Sequence, residues 1–406
     1  MNKITLLDMC NISTGKLDAN AAEKDGKYPY FTCSEGHSYI NSYAFDEDAI
    51  LLAGNNASGN FHCQRFKGKF NAYQRTYVIT SKDNYDINYI FYNLKLYLTN
   101  LKKFSQGSQT KFLTMKILEN ILIDKYSLER QKQLVTSLIK IDNKINLNDK
   151  MNNELEAMAK TIYDYWFLQF EFPNEEGKPY KSSGGKMVWN EELKREIPEG
   201  WEVIALKNNI QIIKGISYTS KNINAYEGIP MINLASINIK REYNPNQLKY
   251  FRGSYNINKE VSAFDMLIAC TDLTRNAEII GSPILVPNDN KKYIYSMDLA
   301  KIEVINSKII PLYLYMTLRT DFFHKYIKGF ASGTNVLHLD TRGIEYYKIY
   351  IPDKKLQRKF ADILHNIHCK QSNIMKENQE LTSLRDFLLP LLMNGQVGFK
   401  GDKAEG

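Results

Sequence analysis

The sequence predicts an α+β fold with a pseudo-twofold internal repeat, in which two similar mixed α/β domains are separated by two long antiparallel coiled-coil helices. Three observations carry this expectation: two apolar stripes of coiled-coil period, a short β-like approach repeated ahead of each stripe, and a glycine- and charge-rich segment between the two halves. The expected boundaries are a first domain over 1–127, a long helix over 128–170 and a connector over 171–200. A second domain over 201–355, a second long helix over 356–394 and a tail over 395–406 complete the chain.

The first stripe runs through Leu134, Leu138, Ile141, Ile145, Asn148, Asn152, Leu155, Ala159, Ile162 and Trp166. Its steps alternate four and three, a 3.5-residue period that brings one narrow seam onto a partner helix. Such a helix is roughly 50 Å long at 1.5 Å per residue. Its other faces carry Glu, Lys, Asp and Asn, which excludes a membrane span. The second stripe, Phe360, Ile363, Ile367, Lys370, Ile374, Glu377, Leu381, Leu384, Leu388 and Leu391, steps in the same way. If the two helices run antiparallel, Asn148 and Asn152 meet Lys370 and Glu377 and fix the register, as buried polar residues do in coiled coils. Leu134, Leu138, Ile145, Leu155, Ile162, Ile367, Ile374, Leu381 and Leu388 are the positions expected to build the helical partner-binding element. A similar approach precedes both helices: Ile121, Leu122 and Ile123 before Leu128 and Arg130, and Ile349, Tyr350 and Ile351 before Leu356 and Arg358.

In the first domain, residues 49–53 read as a buried strand bounded by the acidic Asp46, Glu47 and Asp48, with a loop over 54–59 and a returning strand over 61–66. Residues 74–79 form another strand, with Arg75 at its mouth. Asp86 is placed to cap a helix through Ile90, Leu94, Leu98 and Leu101. The connector crowds glycine, proline, serine and charge, which suits a linking segment and not a core. The second domain repeats the plan. Lys214-Gly215 answers Gly15-Lys16, residues 228–232 answer 27–31, and Ala263-Phe264-Asp265 answers Ala44-Phe45-Asp46. Residues 266–269 form the buried strand and 270–281 its polar loop. Pro311 opens a helix through Leu314, Leu318 and Phe322, and the turn 332–335 stands where 107–110 stood.

At 406 residues the chain exceeds one typical core. Its N-terminus lacks the apolar run of a signal peptide, and five cysteines without a CxxC pair suit reduced thiols, so a cytoplasmic location is expected. His365, His368 and Cys369 lie close in sequence, but without a fourth ligand they read as surface residues and not as a metal site. The net charge of +8 and the 27 tyrosines favour a polyanionic partner. Catalytic signatures are absent. Residues 54–59 have phosphate-loop glycine spacing, but Asn60 stands where the lysine belongs. There is no GxSxG, HExxH, GxGxxG or Asn-Pro-Pro-aromatic motif. Asp353-Lys354-Lys355 has nuclease-like spacing, yet the same acidic-x-Lys triplet recurs at Asp142 and Glu192.

The connector and its flanks then become distinctive: Phe170, Phe172-Pro173, Glu176-Gly177-Lys178-Pro179-Tyr180-Lys181, Gly184-Gly185-Lys186-Met187, and Ile197-Pro198-Glu199-Gly200-Trp201. With residues 388–397, Gly107-Ser108 and Arg130-Gln131, they make the whole chain resemble the DNA-specificity (S) subunits of Type I restriction-modification enzymes. The resemblance implies two target-recognition domains, each reading half of a bipartite, asymmetric DNA site. It also implies two docked methyltransferase subunits, joined by motor-nuclease subunits, in a phage-defence complex. S-adenosylmethionine, ATP and magnesium would belong to those partners, and this chain would catalyse nothing itself. Charge and loop position nominate the DNA contacts: Lys16, Asn55, Asn56, Ser58, Arg65, Tyr73, Arg75 and Lys111 in the first domain, and Lys214, Thr271, Thr274, Arg275, Asn276 and Asn335 in the second. Two other readings compete, a coiled-coil scaffold that never touches DNA and a magnesium-dependent nuclease with an unrecognised site.

Overall fold

The computed structural model describes residues 3–56, 61–104, 112–224 and 227–397. The chain forms two compact units, unit 1 from Met1–Leu147 with Gln379–Gly406 and unit 2 from Asn148–Asn378.

Unit 1 is built on six strands: β1 (Cys10–Thr14), β2 (Tyr28–Phe31), β3 (His37–Ile40), β4 (Phe45–Ala53), β5 (Cys63–Ala72) and β6 (Thr76–Ser81). They lie in the order β1-β6-β4-β5-β2-β3. Only β2 and β5 pair in parallel. The acidic triplet Asp46, Glu47 and Asp48 falls inside β4 instead of bounding it. Asp46 sits opposite Lys69 and Asp48 opposite Lys67, and Asp48 pairs diagonally with Arg65, so opposite charges face each other across the two strands. Ile50 and Leu52 pack on helix α1 (Ile87–Phe104) through Tyr89, Ile90 and Leu94, while Ala49 and Leu51 face Phe31, Phe70 and Val78. Both faces of β4 are therefore covered, which explains its unbroken apolar run. Asp86 caps α1 as expected, its Oδ1 accepting the N–H groups of Asn88 (2.9 Å) and Tyr89 (3.1 Å).

Helix α2 (Leu128–Tyr163) continues into a single π-helical turn, Asp164–Leu168, and stops before Phe170, whose φ is +65°. Unit 2 carries β7 (Ile210–Lys214), β8 (Ile229–Ile232), β9 (Met266–Ala269), β10 (Pro283–Leu285), β11 (Tyr293–Tyr295) and β12 (Leu299–Val304). One sheet runs β7-β12-β9-β10, and β8 pairs with β11 in parallel in a second. Helix α3 (Pro311–Arg319) ends sooner than the sequence suggests. Thr320 is extended, and its hydroxyl accepts the Phe323 N–H to cap a new short helix, so Phe322 lies at the surface. The connector also departs from expectation, because it is folded. Met187–Asn190 and Arg195–Pro198 form a hairpin. Ile197 is buried, and Phe172 stacks on Tyr180 and on Trp201 with ring centroids 4.5 and 5.4 Å apart. The apolar residues spaced through its polar composition are enough to seat it on unit 2.

Helix α4 (Lys354–Met393) accompanies α2 antiparallel in each unit. In unit 1, Leu134 and Leu138 share a core with Leu389, Leu392 and Met393, and Arg385 donates to Asp142 (3.0 Å). In unit 2, Asn148 Nδ2 donates to Glu377 and to Asn378 (both 2.8 Å), Asn378 donates to Asp149 (2.9 Å), and Gln371 donates to Glu156 (3.3 Å). Asn148 and Glu377 thus meet, as the stripes predict. The α4 seam, however, uses Gln371, Asn378 and Arg385, each one residue beyond the expected Lys370, Glu377 and Leu384. Lys370 is exposed and Leu384 is 45% exposed. Ile367 and Ile374 are buried, and Ile145, Leu155, Ile162, Leu381 and Leu388 are half-buried. His368 also departs from the surface position expected of it. It is only 8% exposed, lies within hydrogen-bonding distance of the Val286 carbonyl, and burial lowers its pKa, so it belongs to the core and not to the surface.

Candidate nucleic-acid interface

In unit 1, three loops meet at one end of the six-stranded sheet, after β1, after β4 and before β6. Backbone bonds fix them. Gly15 N–H donates to Thr76 O, Gln74 N–H to Leu17 O, Gly54 N–H to Arg75 O, Tyr73 N–H to Phe31 O, and Leu113 N–H to Gly54 O. A Cβ on Gly15 would lie 1.8 Å from the Ala72 carbonyl oxygen, so only glycine allows this approach.

Unit 2 repeats this frame bond for bond. Gly215 N–H donates to Leu299 O, Met297 N–H to Ile216 O, Cys270 N–H to Asp298 O, Ser296 N–H to Ile232 O, and Leu339 N–H to Cys270 O. A Cβ on Gly215 would meet the Ser296 carbonyl at 2.3 Å. The equivalences follow directly. Gly15 matches Gly215 and residues 28–31 match 229–232, as the sequence suggests. Tyr73, Gln74 and Arg75 match Ser296, Met297 and Asp298, while Asn55, which bridges to Phe112, matches Thr271, which pairs with His338. Lys16 is an extra residue in unit 1 without a counterpart.

A second repeated device lies at the root of each long helix. Gln131 is fully buried, its Oε1 accepting the Asp86 N–H and its Nε2 donating to Tyr126 O. Gln357, also fully buried, accepts the Ile310 N–H and donates to Pro352 O and Lys308 O. Each glutamine ties the start of a domain helix to the start of a long helix. This match lies two residues away from the apparent alignment of 121–123 with 349–351. Apolar type alone cannot distinguish those registers.

The nominated residues fall into distinct groups. Arg75 is exposed, and its guanidinium makes no hydrogen bond or ion pair among the described residues, while its carbonyl is held by Gly54 and by Cys33 Sγ. Lys16 is exposed beside it, and Tyr73, Asn55 and Asn56 are half-buried. Ser58 and Lys111 lie outside the described residues. Arg65 is tied down within β5, bonded to both Asp48 oxygens (2.9 and 2.7 Å) and to Asn88. In unit 2, Arg275, Asn276, Lys214 and Asn335 are exposed at the tip. Thr271 is 5% exposed and donates to Asp298 (3.0 Å), so its hydroxyl serves the fold. The Thr274 hydroxyl likewise accepts the Glu278 N–H (2.8 Å). The supposedly polar loop 270–281 is organised around Asp272, whose buried carboxylate accepts the N–H groups of Thr274, Ile279 and Ile280. Behind the loop, burial first and then Arg241 and Lys328 push His324 down to about 4. Burial raises the Cys270 thiol to about 12, which leaves it inert at neutral pH. Three exposed neighbours, Gln74, Leu273 and Met297, carry no charge or motif that marks them in the sequence. Among the described residues no group of His, Cys, Asp or Glu is placed to hold a metal ion, and no helix is long and apolar enough to cross a membrane.

The two units thus share one backbone frame and present different exposed side chains on it. The family model for the Type I restriction modification DNA specificity domain matches residues 1–157 and 198–383, most of the chain, and the chain belongs to that family. Its members are non-catalytic recognition subunits of Type I restriction-modification systems. The MjaIX specificity subunit of Methanocaldococcus jannaschii is 26% identical over 390 residues, spanning 91% of this chain and 84% of that one. The EcoDI specificity subunit of Escherichia coli is 60% identical over 76 residues, 19% of this chain and 16% of the relative. Among solved structures, the Type I S subunit from M. genitalium shares the fold with a TM-score of 0.56 at 15% identity, covering 97% and 96% of the two chains.

Proposed function

We propose that the tip of each unit reads one half of a bipartite, asymmetric DNA site, with α2 and α4 as the spacer between two target-recognition domains. The observation that carries this reading is the shared frame with unlike side chains: Arg75 and Gln74 in unit 1 stand where Asp298 and Met297 stand in unit 2. One geometry approaching DNA with two chemistries suits two different half-sites. Exposed cations at the tips (Lys16 and Arg75 in one, Lys214 and Arg275 in the other) supply phosphate or base contacts. Buried seam residues such as Leu134, Leu138, Ile367 and Ile374 are used within the chain. Docking of two methyltransferase subunits therefore falls to outward residues of the long helices, where Leu147, Met151 and Met158 on α2 and Leu384 and Phe387 on α4 are exposed apolar side chains. Motor-nuclease subunits join through the methyltransferases. S-adenosylmethionine, ATP and magnesium act in those partners, in the cytoplasm.

The test is to express the chain with its methyltransferase subunit in a host lacking other modification, and to sequence modified bases genome-wide. A single two-part motif that disappears when the chain is omitted supports the reading. Methylation independent of the chain, or an uninterrupted motif, overturns it.

A further inference from the structure

We infer that Met297 is a specificity-determining residue of unit 2 that recognises the C5 methyl group of a thymine, with Leu273 exposed on the loop that the Thr271–Asp298 hydrogen bond ties to the same turn. This rests on the proposal that the unit 2 tip reads DNA.

Single exposed apolar side chains are ordinary on protein surfaces. These two differ in where they stand. Leu273 is 65% exposed and Met297 50% exposed. The Thr271–Asp298 hydrogen bond joins the stem of the Leu273 loop to the turn that presents Met297. The polar groups of the same frame are consumed by folding. Asp298 accepts from both Thr271 and Ser296, and Asp272 accepts three backbone N–H groups. These groups are spent within the fold, and the side chains presented outward from this turn and loop stem are two apolar ones.

The contrast with unit 1 sharpens the assignment. Gln74, an amide that hydrogen-bonds Asp18 (2.9 Å), occupies the backbone position of Met297. The Met297 side chain is itself restrained, because the Ser217 hydroxyl donates to its sulfur (3.2 Å). Lys214 and Arg275 stand exposed at the same tip, available to phosphate. In the major groove thymine alone among the four unmodified bases offers a methyl group, and apolar side chains read it by contact. An exposed thioether held by Ser217, with an exposed leucine on the adjoining loop, suits that target.

The experiment uses the full chain in complex with its methyltransferase subunit and duplexes carrying the methylated motif. Each thymine of one half-site, then of the other, is replaced by uracil, which removes only the methyl group. Burial of one such carbon is worth ~0.8 kcal/mol, so one uracil in the unit 2 half-site should weaken binding about fourfold. Met297→Ala should bind the thymine and uracil duplexes equally, and Leu273→Ala should reduce the discrimination. Both residues are at the surface, so the variants should fold. Sequence-specific binding that no uracil weakens, or a Met297→Ala complex that still discriminates, overturns the inference and leaves the DNA-reading proposal intact. Failure of the wild-type complex to prefer its motif over random duplex overturns both.

Discussion

Replacing Arg75 by alanine separates recognition from folding. The turn that carries Arg75 is held by its carbonyl, which accepts from Gly54 N–H and Cys33 Sγ, and both contacts survive the substitution. The exposed guanidinium makes no hydrogen bond or ion pair among the described residues, so folding stability should change by no more than ~0.5 kcal/mol, as for other surface positions. A bidentate guanidinium–guanine contact carries ~1–3 kcal/mol of discrimination, which is about five- to 150-fold in affinity. Competition binding by the chain–methyltransferase complex, with cognate duplex against duplexes altered in one half-site, measures this directly. Arg75→Ala should lose discrimination at one guanine and keep it in the other half. Arg65→Ala is the internal control. Its pair with Asp48, each side chain 31% exposed, gives an expected stability loss of roughly 0.5–1 kcal/mol, with the motif unchanged. An Arg75→Ala protein with full discrimination, or one that is markedly destabilised, would show that Arg75 serves the fold or solvent and not base reading.

Arg275→Ala should weaken binding through the other half-site by ~1–3 kcal/mol if its guanidinium grips a guanine; unchanged affinity and an unchanged methylation pattern count against it. Asp142→Ala leaves the buried Tyr92 hydroxyl and Arg385 without their shared acceptor, costing ~2–3 kcal/mol by denaturant titration, and Arg385→Ala on top should add much less than it costs alone. Four residues inserted after Asn148, with a matching insertion in α4, lengthen the proposed spacer by ~6 Å. At 3.4 Å per base pair along each strand, the unread gap in the motif should grow by about one or two base pairs while both halves stay the same; a functional variant that methylates the original spacing shows that the helices do not set it. His324 titrates at about 4 in the fold against 6.5 ordinarily. The unfolded chain therefore binds the extra proton first, and stability falls as pH drops through 6.5 towards 4. His324→Gln should remove that part of the slope in pH-dependent denaturation.

The sequence showed the repeat and the long helices because both leave periodic marks. Heptad steps place Leu134, Leu138, Ile367 and Ile374 inside, and Asp86 and Pro311 announce helix starts. It erred where competing registers look alike. Gln371 stands in the seam where Lys370 was expected, and Asn378 shares Asn148 with Glu377, since adjacent polar residues carry no signal of which one turns inward. Folding of the connector was hidden because Phe172, Tyr180 and Ile197 are diluted by glycine and charge. The tips were the least legible. Arg65 and Arg75 read alike as basic residues, yet Asp48 and Asn88, distant in sequence, claim only the first. Thr271 looks like a surface threonine until Asp298 is folded against it, and Met297 follows no motif at all.

Division of the DNA site between the two tips is measured by the methylated motif that the chain produces with its methyltransferase subunit, compared among wild type, Arg75→Ala and Met297→Ala. If each tip reads one half of the site, the motif is two-part, and Arg75→Ala relaxes bases in one half only while Met297→Ala relaxes bases in the other half only. Both substitutions relaxing the same half, or neither altering the motif, would contradict it.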